Sequence, residues 1–438
     1  MSHELTRQRH DGQRHLERLR IERGKDRRSR KALAWRVDKE MENSSPLPAP
    51  QERIGSIDVF RGLVMFLMMA EVLHLAQVAR SFPEISLWQS LAFHQSHVPW
   101  SGCSLHDLIQ PSFSFLVGVA LPFSIASRVA KGQSTRMMFG HAVWRSLLLI
   151  LLGVFLRSVH RDQINWTFED TLSQIGLGYP LLFLLGFRSF RTHLIALGVI
   201  LGGYWLAWAL YPLPGPDFDY VAVRASADWP HHAEGFAAHW NKHLNVGSAF
   251  DQWFLNLFPR SSTYVVNGGG YLTLSFIPTL ATMLLGLLAG NWLKFGLLPK
   301  QRLLRLLLAS AICFALGELL HQLGICPIVK RIWTPSWVLF SGGWCFLCMA
   351  VLYIIVDWAK LKKWAFPLIV IGMNSIAAYL IAHLIRDFTA NSIKILFGQD
   401  CFAFYGKNYG PLCEGLAVLL VFWLILFWMY SRKIFLRI

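Results

Sequence analysis

Apolar runs near 20 residues long recur along this chain from Val59 to its last residues, separated by short polar or charged connections. Each is long enough to cross a hydrocarbon layer of about 30 Å as a helix. The runs predict helices over 58–79, 107–127, 140–158, 171–187, 190–211, 268–293, 303–324, 336–357, 366–386 and 412–431. Apolar and polar positions do not alternate over roughly ten-residue stretches, as the strands of a membrane barrel require. The pattern therefore predicts an all-α polytopic membrane protein with about ten transmembrane helices.

Charge orients these spans. The first 40 residues hold 13 Lys or Arg against seven Asp or Glu and lack a long apolar run. They lead into the Pro-containing segment Ser44 to Pro50, without the short basic start and small-residue cleavage site of a signal peptide. Residues 1–52 read as a basic cytoplasmic tail and linker, and 53–438 as the membrane domain. Placing the tail inside puts Arg128 to Arg136, Arg188 to Arg191, Lys294 to Arg305, Lys360 to Lys363 and the terminal Arg432 to Arg437 inside as well. Both termini are then cytoplasmic, as the positive-inside rule requires. The connections 80–106, 159–170, 212–267, 325–335 and 387–411 fall outside. Segment 212–267, with Trp229, His231, His232, Trp240 and Trp253, is expected to fold into a cap.

Composition agrees: 54% of the 438 residues are hydrophobic and 16% charged, against about 25% charged in soluble domains. The net charge of +16 belongs largely to the tail and the membrane-flanking loops. It therefore points to membrane lipid as a neighbour and not to nucleic acid. Cys345 and Cys348 sit in one apolar span with no second ligand pair, so they read as core packing and no metal is expected. Cys401 and Cys413 flank an outer loop, where an oxidising face would allow a disulfide.

Candidate chemistry concentrates between the first two spans. His94, His97, His106, Asp107 and Gln110 lie between two apolar runs, and polar groups beside hydrocarbon are functional hypotheses by default. Asp107 has the chemistry to orient a neighbouring imidazole and fix its tautomer. At the start of the first span Ser56 or Asp58 suits a helix cap, and Asp58 and Arg61 share a face. They form either a boundary ion pair or, with Arg61 turned inward, a grip on an anionic group. Glu71 and His74, also three apart, are either a proton-handling pair or an interfacial ion pair. Asn374 is equally an interhelical hydrogen-bonding group or a substrate contact.

The ordered set Arg53-x-x-Ser-Ile-Asp58-x-x-Arg61-Gly62, then His97-x-x-Trp100-x-Gly102, Asp107-Leu-x-x-Pro111-x-Phe113-x-Phe115-x-x-Gly118, resembles the heparan-α-glucosaminide N-acetyltransferase family of transmembrane acyltransferases. Trp144-Arg145-Ser146, Leu172-x-Gln174, Gly178-Tyr179, Leu285-Gly286, Gly372-Met-Asn374-Ser375, His383 and the terminal Arg-Lys-Ile-Phe extend the similarity over most of 53–438. The resemblance implies transfer of an acetyl group from cytosolic acetyl-CoA, or another acyl-CoA, to an amine or hydroxyl of a sugar or glycan on the outer side. It maps the catalytic histidine onto His97, as general base or transient acyl carrier, with Asp107 beside it. Arg53, Asp58, Arg61 and Arg145 would serve the coenzyme, with Gln174, Asn374 and Ser375 donating to the thioester carbonyl. Glu71, Trp100, Tyr379 and His383 would line the acceptor side. A bacterial inner membrane with the site open to the periplasm is the implied location, and a homodimer is left open. The chain departs from the pattern at Asn267-Gly-Gly-Gly-Tyr271 and at Glu71, which moves the expected acceptor from heparan to an envelope glycan or amino sugar. The competing class is a proton-coupled transporter or flippase of a sugar-like solute, although no inverted repeat is visible.

Overall fold

The computed structural model describes residues 54–226 and 228–436. The expected tail 1–52 and the candidate Arg53 lie outside them. The described chain is all-helical, with no strand among these residues. In order the helices are α1 (Gly55–Met69), α2 (Leu75–Ser81), α3 (Ser86–His94), α4 (Ile109–Ala130), α5 (Thr135–Ser158), α6 (Thr171–Leu185), α7 (Phe190–Ala209), α8 (Val246–Leu255), α9 (Phe276–Lys294), α10 (Pro299–Gln322), α11 (Pro335–Leu352), α12 (Phe366–Met373), α13 (Ser375–Leu384), α14 (Arg386–Phe397) and α15 (Gly410–Ser431).

Among the described residues seven helices are long and apolar enough to span a membrane, and up to nine if two bent pairs each count as one span. Every apolar run of the sequence is helical, but two are broken. The first bends by 42° at His74, whose φ is 52°, after a tightened turn over Ala70–Leu73. The run 366–386 bends by 71° at Asn374. Helix α6 is short at 15 residues, and α9 begins later than its apolar run because Asn267 to Gly270 form a turn. Gly270 holds φ at 79°, a conformation only glycine adopts cheaply.

Small residues set the packing at the centre. A Cβ on Gly118 of α4 would lie 1.8 Å from the Met283 carbonyl oxygen, and one on Gly286 of α9 would lie 1.9 Å from that of Phe115. These two helices therefore touch backbone to backbone, as small residues permit inside membranes. Gly62 and Gly372 do the same for α1 and α12. The cap of α1 differs from expectation: the carboxylate of Asp357, not Ser56 or Asp58, accepts the N–H groups of Gly55 (2.8 Å) and Ser56 (3.1 Å).

The connections 95–106, 159–170, 212–273 and 323–334 are stitched together at one end of the bundle. Gly102 N–H donates to the Ile328 carbonyl (3.0 Å), and Ser101 pairs with Val329. Arg331 donates to the carbonyls of Gly269 (2.8 Å) and Val98 (3.2 Å). Arg260 reaches the Trp166 carbonyl. Segment 212–267 contributes α8 and a buried Trp240, which packs with Trp208, Tyr204 and Trp100. All seven cysteines, Cys401 and Cys413 included, are free thiols.

Candidate active site

At this stitched end a cavity of about 380 Å³ opens between the loops and descends among α1, α4 and α13. Its polar lining includes His97, His106, Glu71, Arg157, Glu169 and Lys330, and its deeper wall Met65, Met68, Phe113 and Tyr379.

His97 stands on the loop before α4, and its Nδ1 lies 2.7 Å from Asp107 Oδ1. Asp107 is 1% exposed, and its other oxygen accepts the N–H groups of Ser104 (3.1 Å) and Val98 (3.3 Å). The carboxylate is thus fixed by the backbone of the same loop that carries the imidazole. Gly102, at φ 116°, turns that loop back toward the helix. A carboxylate on Nδ1 keeps the proton there and leaves Nε2 as the nitrogen free for chemistry.

Lys330 approaches from the connection before α11. Its Nζ is 3.4 Å from Asp107 Oδ1 and 3.1 Å from His97 Nδ1, and the residue is 4% exposed. Burial lowers its pKa to about 8, against the pull of Asp107, which favours the charged form. Burial likewise pulls His97 below the ordinary imidazole value, opposed by its hydrogen bond to Asp107 and reinforced by the Lys330 charge. Neutral imidazole is the favoured form, as a base or nucleophile requires. Cys103, in the same loop, is pushed up to about 12 by burial. It stays a thiol and does not compete as a nucleophile.

Around this centre, Glu71 accepts from His106 Nε2 at 3.2 Å, and the His106 and His97 rings are 4.4 Å apart. Glu71 and His74 do not pair. The break at His74 sends that ring to Arg386 (2.8 Å) instead. Opposite, Glu169 accepts weakly from Asn267 (3.4 Å), and burial raises its pKa while Arg157 opposes the rise. Asp170 caps α6 through the N–H groups of Leu172 (2.9 Å) and Ser173 (3.1 Å). Tyr271 comes within 6.4 Å of His97, ring to ring, under the Arg331 guanidinium. The Gly-rich stretch 267–271 is thus a wall of the cavity.

The sequence candidates divide into two groups. His97, Asp107, Glu71, Tyr379 and His383 come together, with Tyr379 and His383 stacked at 4.2 Å on the far wall. Gln174 sits just behind. Its carbonyl accepts from Thr279 (2.8 Å) and its amide reaches the Leu272 carbonyl (3.3 Å), with Gln110 at 3.5 Å. The others lie apart from the lining. Asn374 turns its amide to the C-terminal segment, donating to the Ile434 carbonyl (2.9 Å) and accepting from Leu436 N–H (3.1 Å). Ser375 donates to the Gly372 carbonyl (2.9 Å), one turn back. Neither group donates into the cavity, because both sit at the break between α12 and α13. Asp58 and Arg61 pair at 3.6 Å on α1, one turn before Met65. Arg145 lies over the Tyr179 ring at 5.0 Å between α5 and α6. Trp100 is 2% exposed and donates to the Trp240 carbonyl (3.1 Å). It borders a separate cavity with His231, His232 and His321 and serves as the loop's anchor.

Sequence reasoning missed Lys330, Arg331, Arg157 and Glu169, and noted Tyr271 only as part of the departing stretch 267–271. For Lys330 and Arg331 a signal existed: two adjacent cations between Pro327 and Pro335, in a connection assigned to the outer face, where the positive-inside rule makes cations scarce.

No family model matches the chain. It is 24% identical over 429 residues to the heparan-alpha-glucosaminide N-acetyltransferase of Homo sapiens, a match taking in 90% of this chain and 61% of that protein. The Mus musculus protein of the same name is 23% identical over 423 residues, with 88% and 60% covered. The chain spans about three fifths of the length of these relatives.

Proposed function

We propose, on the premise that this chain is distantly related to the heparan-alpha-glucosaminide N-acetyltransferases, that it is a membrane acetyltransferase. It transfers an acetyl group from acetyl-CoA to an amine or hydroxyl of a sugar or glycan. The observation that carries this reading is the His97–Asp107 contact of 2.7 Å at the wall of the cavity. A neutral imidazole held by a buried carboxylate is the unit that activates a weak nucleophile in acyl transfer.

In this reading Nε2 of His97 takes the proton of the acceptor amine or hydroxyl as that group attacks the thioester carbonyl. The tetrahedral intermediate then collapses, the carbon–sulfur bond breaks, and the imidazolium returns the proton to the departing thiolate. Asp107 stabilises the transient imidazolium. The cavity, about 380 Å³, suits the thioester end of the donor together with one sugar ring, within the usual range of small-molecule sites. Met65, Met68 and Phe113 line the deep side toward the donor, and Glu71, Glu169 and His383 supply acceptors and donors for sugar hydroxyls. The anionic part of coenzyme A would lie toward Arg61 and the basic connections, on the side that their excess of Lys and Arg marks as cytoplasmic. The site then opens outward, to the periplasm if the membrane is a bacterial inner membrane.

The experiment is release of free coenzyme A from acetyl-CoA by the purified chain, with and without glucosamine and its oligomers. Acceptor-dependent release, absent in His97→Ala, is expected. Release equal in wild type and His97→Ala would refute the assignment. Proton-driven uptake of sugar into vesicles without thioester cleavage would establish the carrier class instead.

A further inference from the structure

We propose that Lys330 is a positioning residue for His97: it holds Asp107 by a second contact to Oδ1 and opposes positive charge on the imidazole, keeping the ring neutral and protonated on Nδ1. The inference rests on the acyl-transfer reading for its purpose, but its claim concerns the state of His97 alone.

Three atoms form a closed triangle: His97 Nδ1 to Asp107 Oδ1 at 2.7 Å, Lys330 Nζ to the same oxygen at 3.4 Å, and Nζ to Nδ1 at 3.1 Å. The shortest edge places the Nδ1 proton toward the carboxylate. An Nδ1 that bears a proton cannot accept from an ammonium, and an ammonium accepts nothing. Lys330 therefore meets His97 as a charge and not as a hydrogen-bond partner. Lys330 and Asp107 are buried, while 35% of the His97 side chain stays exposed at the cavity, so the charge acts on the ring over 3 Å from its buried side.

The groups around the ring divide, with Lys330 and His106 opposing a charge on it and Asp107 favouring one. His97 is faced by Asp107, Lys330, His106 and Tyr271, with Glu71 beyond His106. Lys330 is faced by Asp107, Arg331 and Glu71. One buried carboxylate is already matched by one buried ammonium. A proton on Nε2 would set two cations against Asp107, with Arg331 adding a third nearby. Burial disfavours the imidazolium before Lys330 is counted, and the ammonium adds to that effect against the Asp107 hydrogen bond.

Placement of Lys330 is built in. The Val329 N–H donates to Thr334 Oγ1 (3.0 Å), Val329 pairs with Ser101, and Arg331 grips Val98. The lysine and the histidine loop are thus parts of one stitched unit. A buried ammonium is a poor device for stability alone, since an apolar side chain of similar size is often no worse. Catalytically, an imidazolium held at a disadvantage gives its proton readily to a leaving thiolate, and neutral imidazole persists at mildly acidic pH.

The test follows carbethoxylation of His97 by diethyl pyrocarbonate in the purified full chain, read on the His97 peptide by mass spectrometry from about pH 5 to about pH 8, the interval in which imidazoles titrate. The reagent attacks neutral imidazole and needs no substrate. The wild-type midpoint is expected below the ordinary value of about 6.5. Lys330→Met should raise it by about one unit, and Lys330→Arg, which keeps the cation, should hold it near wild type. The acid limb of acetyl transfer should move with it. A wild-type midpoint of about 6.5 or higher, no rise in Lys330→Met, or an equal rise in Lys330→Arg would overturn the proposal. If Lys330→Met does not purify folded, Lys330→Gln gives the same contrast, and the wild-type midpoint is decisive by itself. Expected midpoints in a protein that never cleaves acetyl-CoA would sink the acetyltransferase reading and leave the role of Lys330 intact.

Discussion

Nδ1 of His97 lies 2.7 Å from Oδ1 of Asp107, and the other carboxylate oxygen is held by backbone N–H groups of the histidine's own loop. Replacing Asp107 by Asn keeps the shape but offers an amide where a carboxylate fixed the tautomer. We expect kcat to fall by about 10²- to 10⁴-fold, as when the carboxylate of a catalytic triad is neutralised. Steady-state assays with acetyl-CoA and glucosamine check this, and an Asp107→Asn rate within threefold of wild type would remove Asp107 from the mechanism.

The pH dependence follows from the direction of the His97 shift. Burial and Lys330 favour neutral imidazole, so the competent form is fully present above the lowered pKa and is lost as pH falls through it. The acid limb of kcat/KM should therefore have its midpoint below about 6.5. A pH profile from about pH 4.5 to about pH 8 measures it, and an acid limb above neutrality would contradict the arrangement.

The contact between α4 and α9 sets a stability prediction. Gly118→Leu or Gly286→Val would drive a side chain into a facing backbone carbonyl. Overpacking of this kind typically costs about 1–3 kcal/mol, and more where backbone must shift. Thermal unfolding in detergent should show a lowered Tm for each, whereas Gly198→Ala, inside α7 where an added Cβ meets nothing within 4 Å, should not lower Tm.

Trp100 separates anchoring from chemistry. Trp100→Phe deletes the donor to the Trp240 carbonyl while keeping most of the buried ring, and should cost about 1–3 kcal/mol of stability. Its effect should appear in Tm and in the dependence of rate on temperature, with KM for the acceptor little changed at low temperature. A large rise in acceptor KM without a change in Tm would return Trp100 to the acceptor site.

The proposed orientation is checked by cysteine accessibility. A cysteine introduced near residue 225 should react with an impermeant maleimide added outside, and one added after residue 438 should react only once the membrane is opened. The same side for both would reverse the topology and the direction of transfer.

The sequence by itself determined the class of the protein and named the pair at the centre of the proposed site. Run length and hydropathy are one-dimensional properties, and a helix that must satisfy its backbone inside hydrocarbon leaves few alternatives. Among His94, His97 and His106 the family resemblance singled out His97, and Asp107 follows it by ten positions on the same loop and helix start. Tertiary structure decided the rest. Lys330 reaches His97 across 233 positions of chain, and Glu169 and Tyr271 arrive from two further connections. It also set Asn374 apart from the cavity lining, with its amide on the C-terminal segment, and turned Glu71 from His74 to His106 within that lining. These outcomes depend on where helices break and on which small residues let two backbones meet. Such contacts join residues far apart in the chain, and no local periodicity encodes them.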